Sequence, residues 1–528
     1  MKADLTRNTF DPFKHFTRVL MQQGRVQLDA DWNEQAAILL KYLQALAADL
    51  IGPHGGPVAN LGFQIVGGSD ATNFAISPGH YYVDGVLCEL ASPFGPVPIT
   101  SATNESKQFR IPAWSVASFK NPANYQVLLS AEGQGRSAWT TIKNVTQDNV
   151  TQDGVVTVET SVGDVLNAPN PKAYLNSITF LHQPDYPIQP GTQLAQGSSL
   201  IYLDVWERLV TYAEDDSIRE VALDGADTAA RSKLVCQVRQ MPPVASPKKA
   251  EGITAGNLKS QFQPANRGRL MAQAKQTSTS ADPCMIAPDA SYRGPENQLY
   301  RVEIHTGGVY EGNTNGPTFK WSRENGSVIF PIVNLTPGTG TTGTTTVVLE
   351  SLGRDDRLGL NEKDWVEIQD DDSVLLSTAG SLLQVQSIDS GNLTVTLAGA
   401  TSPTVDQKKH PLLRRWDQTG DPAQGGLQLG SDNAALIFEA SNDTNWLSLE
   451  DGIQIQFQPP QGSANQYRTG DYWLIPARTA TGDIEWPTGT ALPPDGVDHH
   501  YAPLAVINVT SQGVDVNPSC QKEFQPPV

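Results

Sequence analysis

The chain has 528 residues, with 56 acidic against 37 basic side chains and a formal net charge of −19 at pH 7. A surface with this excess of negative charge repels phosphate backbones, which excludes nucleic acid as an expected partner. Charged residues make up 18% of the chain, whereas glycine (45) and proline (37) are frequent, and this combination favours short strands joined by turns. We therefore expect a mainly β, multi-domain protein built of small antiparallel β-sandwich or barrel modules.

The cysteines Cys88, Cys236, Cys284 and Cys520 are far apart in the sequence and form no CxxC pair. Their spacing excludes the usual zinc and redox motifs and gives no sign of a disulfide framework. Residues 1–20 lack the continuous apolar segment of a signal peptide, and no stretch is long and apolar enough for a transmembrane helix. We expect a protein that is made in the cytoplasm, without a signal peptide or a membrane span.

The first long element along the chain is predicted to be a helix. The run RVQLDA (residues 25–30) alternates apolar and polar residues and predicts a short strand. Asp31, with the glutamate three residues later, forms an aspartate version of the capping box and predicts a helix that runs to Leu50 or Ile51, where Gly52 stops it. Its apolar residues recur at steps of three or four and form one amphipathic stripe: Trp32, Ala36, Leu39, Leu43, Leu46 and Leu50.

Residues 1–52 are predicted to form an anchoring unit of strap, strand and helix. Three phenylalanines come at a spacing of three in a segment that is too short and polar to form its own core, and the Asp-Pro pair between them restricts the backbone. Together with the helix they predict a contact with another subunit; the alternative is an intramolecular clasp over the first β domain. The residues expected at the subunit contact are Phe10, Phe13, Phe16, Trp32, Leu39 and Leu43.

Beyond the helix we divide the sequence into consecutive segments. Residues 53–241 are predicted to be a first β domain, and residues 242–283, rich in Pro, Ser, Lys and Gln, an irregular insertion or linker. Residues 284–411 are predicted to be a second β region that includes a small barrel-like module at 345–400, where short strands follow each other closely. Residues 412–528 form a C-terminal β segment.

No catalytic, metal-binding or cofactor-binding motif is present. Acidic runs such as residues 370–372 are expected to lie in turns or at sheet edges, because adjacent residues of a strand point to opposite faces. The Asp-His-His group at 498–500 lacks the HxxxH or HExxH spacing of a metal site. Glu303 and Glu324 could be imagined as a glycosidase pair, but so could any two acids in a β-rich protein. We therefore expect no enzyme, no metal and no cofactor.

Four segments place a tryptophan beside acidic neighbours, around Trp321, Trp365, Trp473 and Trp486. When such groups are exposed they stack on sugar rings, and when they are buried they anchor small β cores. Tryptophan is highly buried on average, so we expect burial for these four residues.

Long blocks of the chain resemble a known family. The blocks include DLTRNTFDPFKHFTRVLMQQGRVQLDADWNEQ (4–35), YLDVWERLVTYAEDDSIREVAL (202–223) and YRTGDYWLIPARTATGDIEWP (467–487). They are similar to a family of uncharacterised proteins encoded beside phage-tail-like contractile injection systems. In addition, ISPGHYYVDGVLCEL (76–90), with a turn at Asp84-Gly85, is similar to a hairpin common in phage baseplate and tail-fibre proteins.

The resemblance implies a non-enzymatic structural or accessory component of a contractile injection particle, near the baseplate or on a fibre-like attachment. Its partners would be other subunits of the particle or a second copy of the chain, and released particles would carry it outside the cell. Two alternatives come from other classes: a glycan- or surface-recognition β module, and a secreted effector with hydrolase activity. Sheath, tube and baseplate genes alongside would favour the first interpretation.

Overall fold

The computed structural model describes fourteen stretches of the chain: 1–92, 95–102, 107–119, 126–132, 137–175, 178–189, 191–275, 291–312, 316–338, 343–355, 357–400, 406–420, 426–441 and 445–525. Strands make up 40% of the structure and helices 14%, so the protein is mainly β. Several separate sheets, a closed barrel and one long N-terminal helix confirm the predicted fold class. In the described part of the chain, no helix has both the length and the apolar character needed to cross a membrane.

Among the described residues α1 is the longest helix, and the other helices are short. The helices are α1 (Asp29–Ile51), α2 (Gly163–Leu166), α3 (Pro247–Glu251), α4 (Ala255–Phe262) and α5 (Asp371–Leu375), and short 3-10 helices lie at Pro12–Lys14, Val58–Asn60, Ala113–Phe119, Asp216–Ile218, Val221–Leu223 and Gln407–Lys409. The first strands are β1 (His54–Pro57), β2 (Ile65–Val66), β3 (Ala75–Ile76), β4 (Gly79–Val83), β5 (Val86–Leu90), β6 (Val97–Pro98), β7 (Ser101–Ala102), β8 (Gln108–Ile111), β9 (Gln126–Ser130), β10 (Ser137–Gln147), β11 (Gly154–Val158) and β12 (Lys172–Leu175).

The remaining strands begin at residue 197. In the middle of the chain they are β13 (Gly197–Val210), β14 (Arg231–Gln240), β15 (Leu270–Ala274), β16 (Gln298–Ile304), β17 (Gly308–Val309), β18 (Thr318–Ser322), β19 (Ile329–Thr336), β20 (Thr344–Leu349), β21 (Trp365–Gln369), β22 (Ser381–Asp389) and β23 (Thr394–Ala398). The last are β24 (Leu412–Trp416), β25 (Ala435–Leu436), β26 (Leu447–Ser448), β27 (Ile453–Phe457), β28 (Gln466–Tyr467), β29 (Tyr472–Arg478), β30 (Asp483–Ile484), β31 (His499–Thr510), β32 (Gly513–Ser519) and β33 (Glu523–Phe524).

Contacts within the chain define two compact units. Unit 1 combines Met1–Leu39, Glu207–Lys233 and Gln263–Asp498, and unit 2 combines Leu40–Trp206, Leu234–Phe262 and His499–Val528. The predicted domains are consecutive segments of the chain, whereas each unit joins segments that are far apart in the sequence. In unit 2, for example, β13 pairs antiparallel with β31 from Gly197↔Val509 to Trp206↔His499.

Unit 1 contains a closed barrel of the strand order β19-β20-β23-β22-β21-β24. Alternate residues of its strands, such as Val347, Val366 and Val395, point inward and are completely buried, as the period of two along a strand requires. The barrel predicted at 345–400 is therefore confirmed, and it also includes β19 and β24. A five-stranded sheet, β25-β18-β16-β29-β30, lies in the same unit over an aromatic core, with smaller sheets β15-β27-β26 and β17-β28.

Unit 2 contains a seven-stranded sheet, β6-β12-β9-β10-β11-β8-β7, and two four-stranded sheets, β33-β1-β4-β5 and β14-β13-β31-β32, besides the pair β2-β3. The seven-stranded sheet covers a hydrophobic core of its own. The hairpin β4-β5 turns at Asp84 and Gly85, which both have a positive φ (48° and 80°), and this confirms the turn predicted there.

The predicted strand at residues 25–30 is wrong. Residues 25–28 form no strand, and the helix begins at Asp29. Asp29 accepts hydrogen bonds from the backbone nitrogen (2.9 Å) and the hydroxyl (2.5 Å) of Thr6, which fix the start of the helix. Asp31 therefore lies within the first turn and is not the capping residue. The predicted C-terminal end of the helix is confirmed, because α1 ends at Ile51.

The predicted irregular insertion at residues 242–283 is also wrong over most of its length. It contains α3, α4 and β15, and β15 pairs with β27 from Leu270↔Phe457 to Ala274↔Ile453. Leu258 in α4 and Leu270 in β15 are completely buried. The segment is polar on average, but a few apolar residues at the right positions pack into the core, and average composition does not indicate such positions. Residues 276–283 lie outside the described residues.

Candidate subunit-binding surface

Residues 1–9 are held to unit 1 by polar contacts. Arg7 forms an ion pair with Glu485 (Nη1–Oε1, 3.0 Å), and Asn325 donates from Nδ2 to the carbonyl oxygen of Ala3 at 2.7 Å. These contacts join the start of the chain to residues more than 300 positions away. An intramolecular clasp therefore accounts for residues 1–9, and it closes on unit 1.

The clasp includes a buried ion cluster of Lys2, Glu303, Lys320 and Glu367. Lys2 Nζ lies 2.9 Å from Glu303 Oε1, and Lys320 Nζ lies 3.4 Å from Glu303 Oε1 and 2.6 Å from Glu367 Oε2. Burial would raise the pKa of Glu303, but the positive charges of Lys2, Arg301 and Lys320 outweigh it and hold the pKa well below its usual range. Glu303 is thus committed to ion pairs, which leaves it unsuited to the acid–base role imagined from the sequence.

Residues 10–28 present apolar side chains to solvent. Asp11 accepts a hydrogen bond from the backbone nitrogen of Phe13 at 2.9 Å and caps the 3-10 helix that follows. This turn leaves Phe13 86% exposed, and Phe16 is also exposed, whereas Phe10 is half-buried. Further along, Leu20 and Val26 are exposed as well.

Helix α1 turns its apolar stripe to solvent. Trp32 and Leu43 are each 64% exposed, and every other member of the predicted stripe is exposed too: Ala36, Leu39, Leu46 and Leu50. The covered face instead contains Ala30 and Ile38, both 2% exposed. A surface helix normally buries its apolar stripe, so α1 has the reverse arrangement.

We call the exposed apolar side chains of residues 13–50 the anchor surface. More than half of the exposed large hydrophobic side chains of the described residues lie in this short part of the chain. Single exposed apolar residues are normal, but a concentration of this kind marks a contact surface in soluble proteins. Its arrangement can bind another apolar surface; it offers no group for acid–base or nucleophilic chemistry.

Of the residues predicted at a subunit contact, Phe13, Phe16, Trp32, Leu39 and Leu43 belong to the anchor surface, and Phe10 lies beside it. Eight further large side chains of the anchor surface were not predicted at the contact: Leu20, Met21, Val26, Leu28, Leu40, Tyr42, Leu46 and Leu50. The spacing of the stripe already contained the signal for Leu46 and Leu50. The exposure of Val26 could not be predicted, because the apolar and polar residues around it alternate as they do in a strand.

The acidic and histidine groups singled out from the sequence have structural roles. Residues 370–372 cap α5 or pair with neighbouring cations. His499 hydrogen-bonds Asp204 at 2.6 Å, and His500 hydrogen-bonds Asp84 at 2.9 Å. Within the ranges that the structure describes, no group of three or more His, Cys, Asp or Glu side chains is placed to hold a metal ion.

The tryptophans with acidic neighbours fall into two pairs. Trp321 and Trp473 are 1% exposed and belong to the aromatic core of unit 1, so the predicted burial is confirmed for them. Trp365 and Trp486 are half-buried, so each keeps part of its surface for other contacts.

The comparison with protein families gives one match. The family of unknown function DUF6519 matches residues 1–96, 162–261 and 258–525. The chain belongs to the DUF6519 family. The matched part of this DUF6519 protein includes the whole anchor surface, whereas residues 97–161, which contain β6 to β11, lie outside it. The comparison with curated proteins finds no match.

Proposed function

We propose that this DUF6519 protein is a non-enzymatic structural component of a larger particle and that the anchor surface binds another subunit. The observation that carries the proposal is the outward-facing apolar stripe of α1. Burying Trp32, Leu39 and Leu43 at a subunit contact would contribute about 1.5–3 kcal/mol for each side chain. Anchors of this kind dominate an interface when they lie at its centre.

The contacts of residues 1–9 and of the anchor surface differ, and this difference indicates an intramolecular role for the first and an intermolecular role for the second. Residues 1–9 are engaged by unit 1 through Arg7, Asn325 and the buried ion cluster. The side chains of the anchor surface, in contrast, remain largely exposed. We therefore expect a partner for the anchor surface and an intramolecular role for residues 1–9.

The particle that we propose is a phage-tail-like contractile injection particle, with this protein at the baseplate periphery or on a fibre-like attachment. Support comes from the resemblance of the blocks around residues 4–35, 202–223 and 467–487 to proteins encoded beside such systems. The modular β architecture suits this role, because several small sheets and a barrel can fill a rigid peripheral part without a catalytic centre. In released particles the protein would lie outside the cell.

Co-sedimentation from the cells that naturally produce the protein tests the proposal. The tagged protein is expressed as wild type and as the variant Leu39→Gln, Leu43→Gln, Leu46→Gln, and the high-molecular-weight particles are purified. Because these side chains are exposed and glutamine is a good helix former, each substitution should change the free energy of unfolding by no more than about 0.5 kcal/mol. We expect the wild type in the particle fraction and the variant in the soluble fraction.

The matched control carries Val221→Gln and Leu223→Gln, which remove two exposed apolar side chains of unit 1 outside the anchor surface. This control should sediment with the particles as the wild type does. Equal sedimentation of wild type and triple variant, or wild type missing from a particle fraction that contains sheath protein, would contradict the proposal. If the free wild type is a dimer and the triple variant a monomer, the occupant of the anchor surface is a second copy.

A further inference from the structure

The exposed stripe of α1 has the spacing of a coiled-coil seam. Its members follow one another at alternating steps of four and three residues, so they occupy consecutive d and a positions of a heptad repeat: Trp32, Ala36, Leu39, Leu43, Leu46 and Leu50. A repeat of 3.5 residues keeps apolar side chains in line along a slightly underwound helix, and it is typical of a helix that packs along a second helix. Because α1 has 23 residues and is about 34 Å long, the seam extends over most of its length.

The seam points away from the covered face of α1. Ile38, which is 2% exposed, marks that face, and at about 100° per residue the six seam positions lie on average about 120° from it around the helix axis. The five large side chains of the seam are 54–77% exposed. A second helix, with its axis about 8–10 Å away, can therefore lie along the seam.

The seam is complementary to a second copy of itself in the antiparallel direction. When Leu39 of one helix faces Leu43 of the other, every d residue faces an a residue and all six positions have a partner. The facing pairs, each present twice by the twofold symmetry, are Leu39 with Leu43, Ala36 with Leu46 and Trp32 with Leu50. The smallest residue thus faces a large one, as close packing requires. A shift by one heptad in either direction would leave two of the six positions without a partner in the seam.

A parallel pair of the same helices would pack less well. Each residue would face its own counterpart, so two Trp32 side chains would crowd one layer and two Ala36 side chains would leave a gap in the next. Asp29 also occupies an a position, and a parallel pair would bring two of its carboxylates together at the seam. In the antiparallel pair these carboxylates lie at opposite ends. Asp49, the one charged residue at the flanking e and g positions of the seam, then faces Gln35, so no like charges meet there.

We infer that the occupant of the anchor surface is a second copy of this chain, bound through an antiparallel two-stranded coiled coil of the two α1 helices. This inference rests on the proposed function, because it identifies the subunit that the anchor surface binds. Leu40 and Tyr42, which are 45% and 54% exposed, lie at flanking positions and widen the apolar contact on both sides of the seam. The same patch of both copies forms the interface, so the assembly closes as a dimer.

Sedimentation velocity of the full-length protein, at concentrations up to about 50 µM, tests the dimer. We expect a particle of twice the chain mass of 57.0 kDa. The variant Leu39→Gln, Leu43→Gln removes the apolar side chains of both central layers and should raise the dissociation constant of the dimer at least about a hundredfold. Lys41→Gln is the matched control, because Lys41 is an exposed residue of the same helix outside the seam. It should leave the dissociation constant unchanged within about twofold.

Photo-crosslinking tests the direction of the two helices. The photoreactive amino acid p-benzoylphenylalanine replaces Trp32, whose side chain is 64% exposed, and mass spectrometry of the crosslinked dimer identifies the residues that it reaches. The antiparallel arrangement places the probe beside the residues around Leu50 of the second copy, whereas a parallel arrangement would place it beside those around Trp32. The same probe in the Leu39→Gln, Leu43→Gln protein should give no crosslinked dimer.

Three results would overturn the inference: a wild type that stays a monomer at about 50 µM, a dimer that the double glutamine variant does not weaken, and crosslinks that do not reach the residues around Leu50. The failure of the dimer and the failure of the proposed function are distinguishable. A monomeric wild type that enters particles while the triple glutamine variant does not refutes only the dimer. A dimer that depends on the seam, with equal particle binding by wild type and triple variant, refutes only the proposed function.

Discussion

Lys320 lies between two buried carboxylates, and its replacement by methionine tests how much charge compensation in the buried ion cluster contributes to the stability of unit 1. The ammonium group is 2.6 Å from Glu367 Oε2 and 3.4 Å from Glu303 Oε1, and it lies 4.5 Å from the ring centre of Trp416. Glu367 is completely buried and Lys320 is 2% exposed. Methionine fills nearly the same volume, so the change removes the charge and leaves no large cavity.

The expected loss in the free energy of unfolding depends on which hydrogen-bond and ion-pair partners each carboxylate keeps after the substitution. Glu303 keeps its ion pairs with Lys2 (2.9 Å) and Arg301 (2.6 Å), so its loss is partial. Glu367 keeps hydrogen bonds from Trp416 Nε1 (2.9 Å) and from a backbone nitrogen, but it loses its closest cation. Removing one partner of a buried pair costs about 3–5 kcal/mol, because a buried charge is left uncompensated. We expect Lys320→Met to lower the free energy of unfolding by about this amount.

Urea unfolding followed by tryptophan fluorescence measures the effect, since Trp321 and Trp416 are buried in unit 1 and report its unfolding. Lys409→Met is the matched control: Lys409 pairs with Asp372 at 2.5 Å, but its side chain is 41% exposed, so solvent screens the pair. The control should cost less than about 1 kcal/mol. The double variant Lys320→Met with Glu367→Gln should regain a large part of the lost stability, because the uncompensated charge is gone.

A cost for Lys320→Met below about 1 kcal/mol, equal to that of the exposed control, would refute this reasoning. The reasoning is also refuted if Glu367→Gln lowers the free energy of unfolding as much in the Lys320→Met protein as it does in the wild type. Either result would mean that the ion cluster is not held together by charge compensation.

Three further predictions concern pH, the clasp and the packing of α1. Burial would raise the pKa of Glu367, but Lys320, His305 and Lys2 outweigh it and lower the pKa to about 2. The ionised Glu367 therefore stabilises the fold fully above its ordinary pKa of 4.5, and this stabilisation is lost as the pH falls toward 2. Urea titrations should give a lower free energy of unfolding at pH 3 than at pH 7, and Glu367→Gln should make this difference smaller. Asp29→Ala should cost about 1 kcal/mol in thermal unfolding, because it removes the acceptor at the start of α1. Gly85→Ala should destabilise unit 2 by more than about 1 kcal/mol, since an added methyl group meets the carbonyl oxygen of Gln44 at a residue with φ 80°; an unchanged melting temperature would contradict this.

The local β structure of the chain could be predicted because it depends on neighbouring residues. Strands such as β20 alternate buried and exposed side chains, and the turn at Asp84-Gly85 needs two positive φ angles that these residue types tolerate. The composition of the two units could not be predicted. It depends on pairings such as β13 with β31, whose partners lie about 300 residues apart and leave no pattern in a single sequence.

The anchor surface shows why a periodic pattern alone does not determine which face of a helix is covered. The stripe of α1 has the spacing of a buried face, and that spacing suits a core and a partner equally well. The opposite face is the one that packs on the protein: it contains Ile38 and the small residues Ala30, Ala45 and Ala48, and it lets Gly85 approach the helix backbone at Gln44. Small side chains permit this close approach, and the large apolar residues are then left facing outward. The covered face of α1 thus contains small residues and Ile38, and the exposed face contains the large apolar residues of the anchor surface, which is the arrangement that the proposed subunit contact requires.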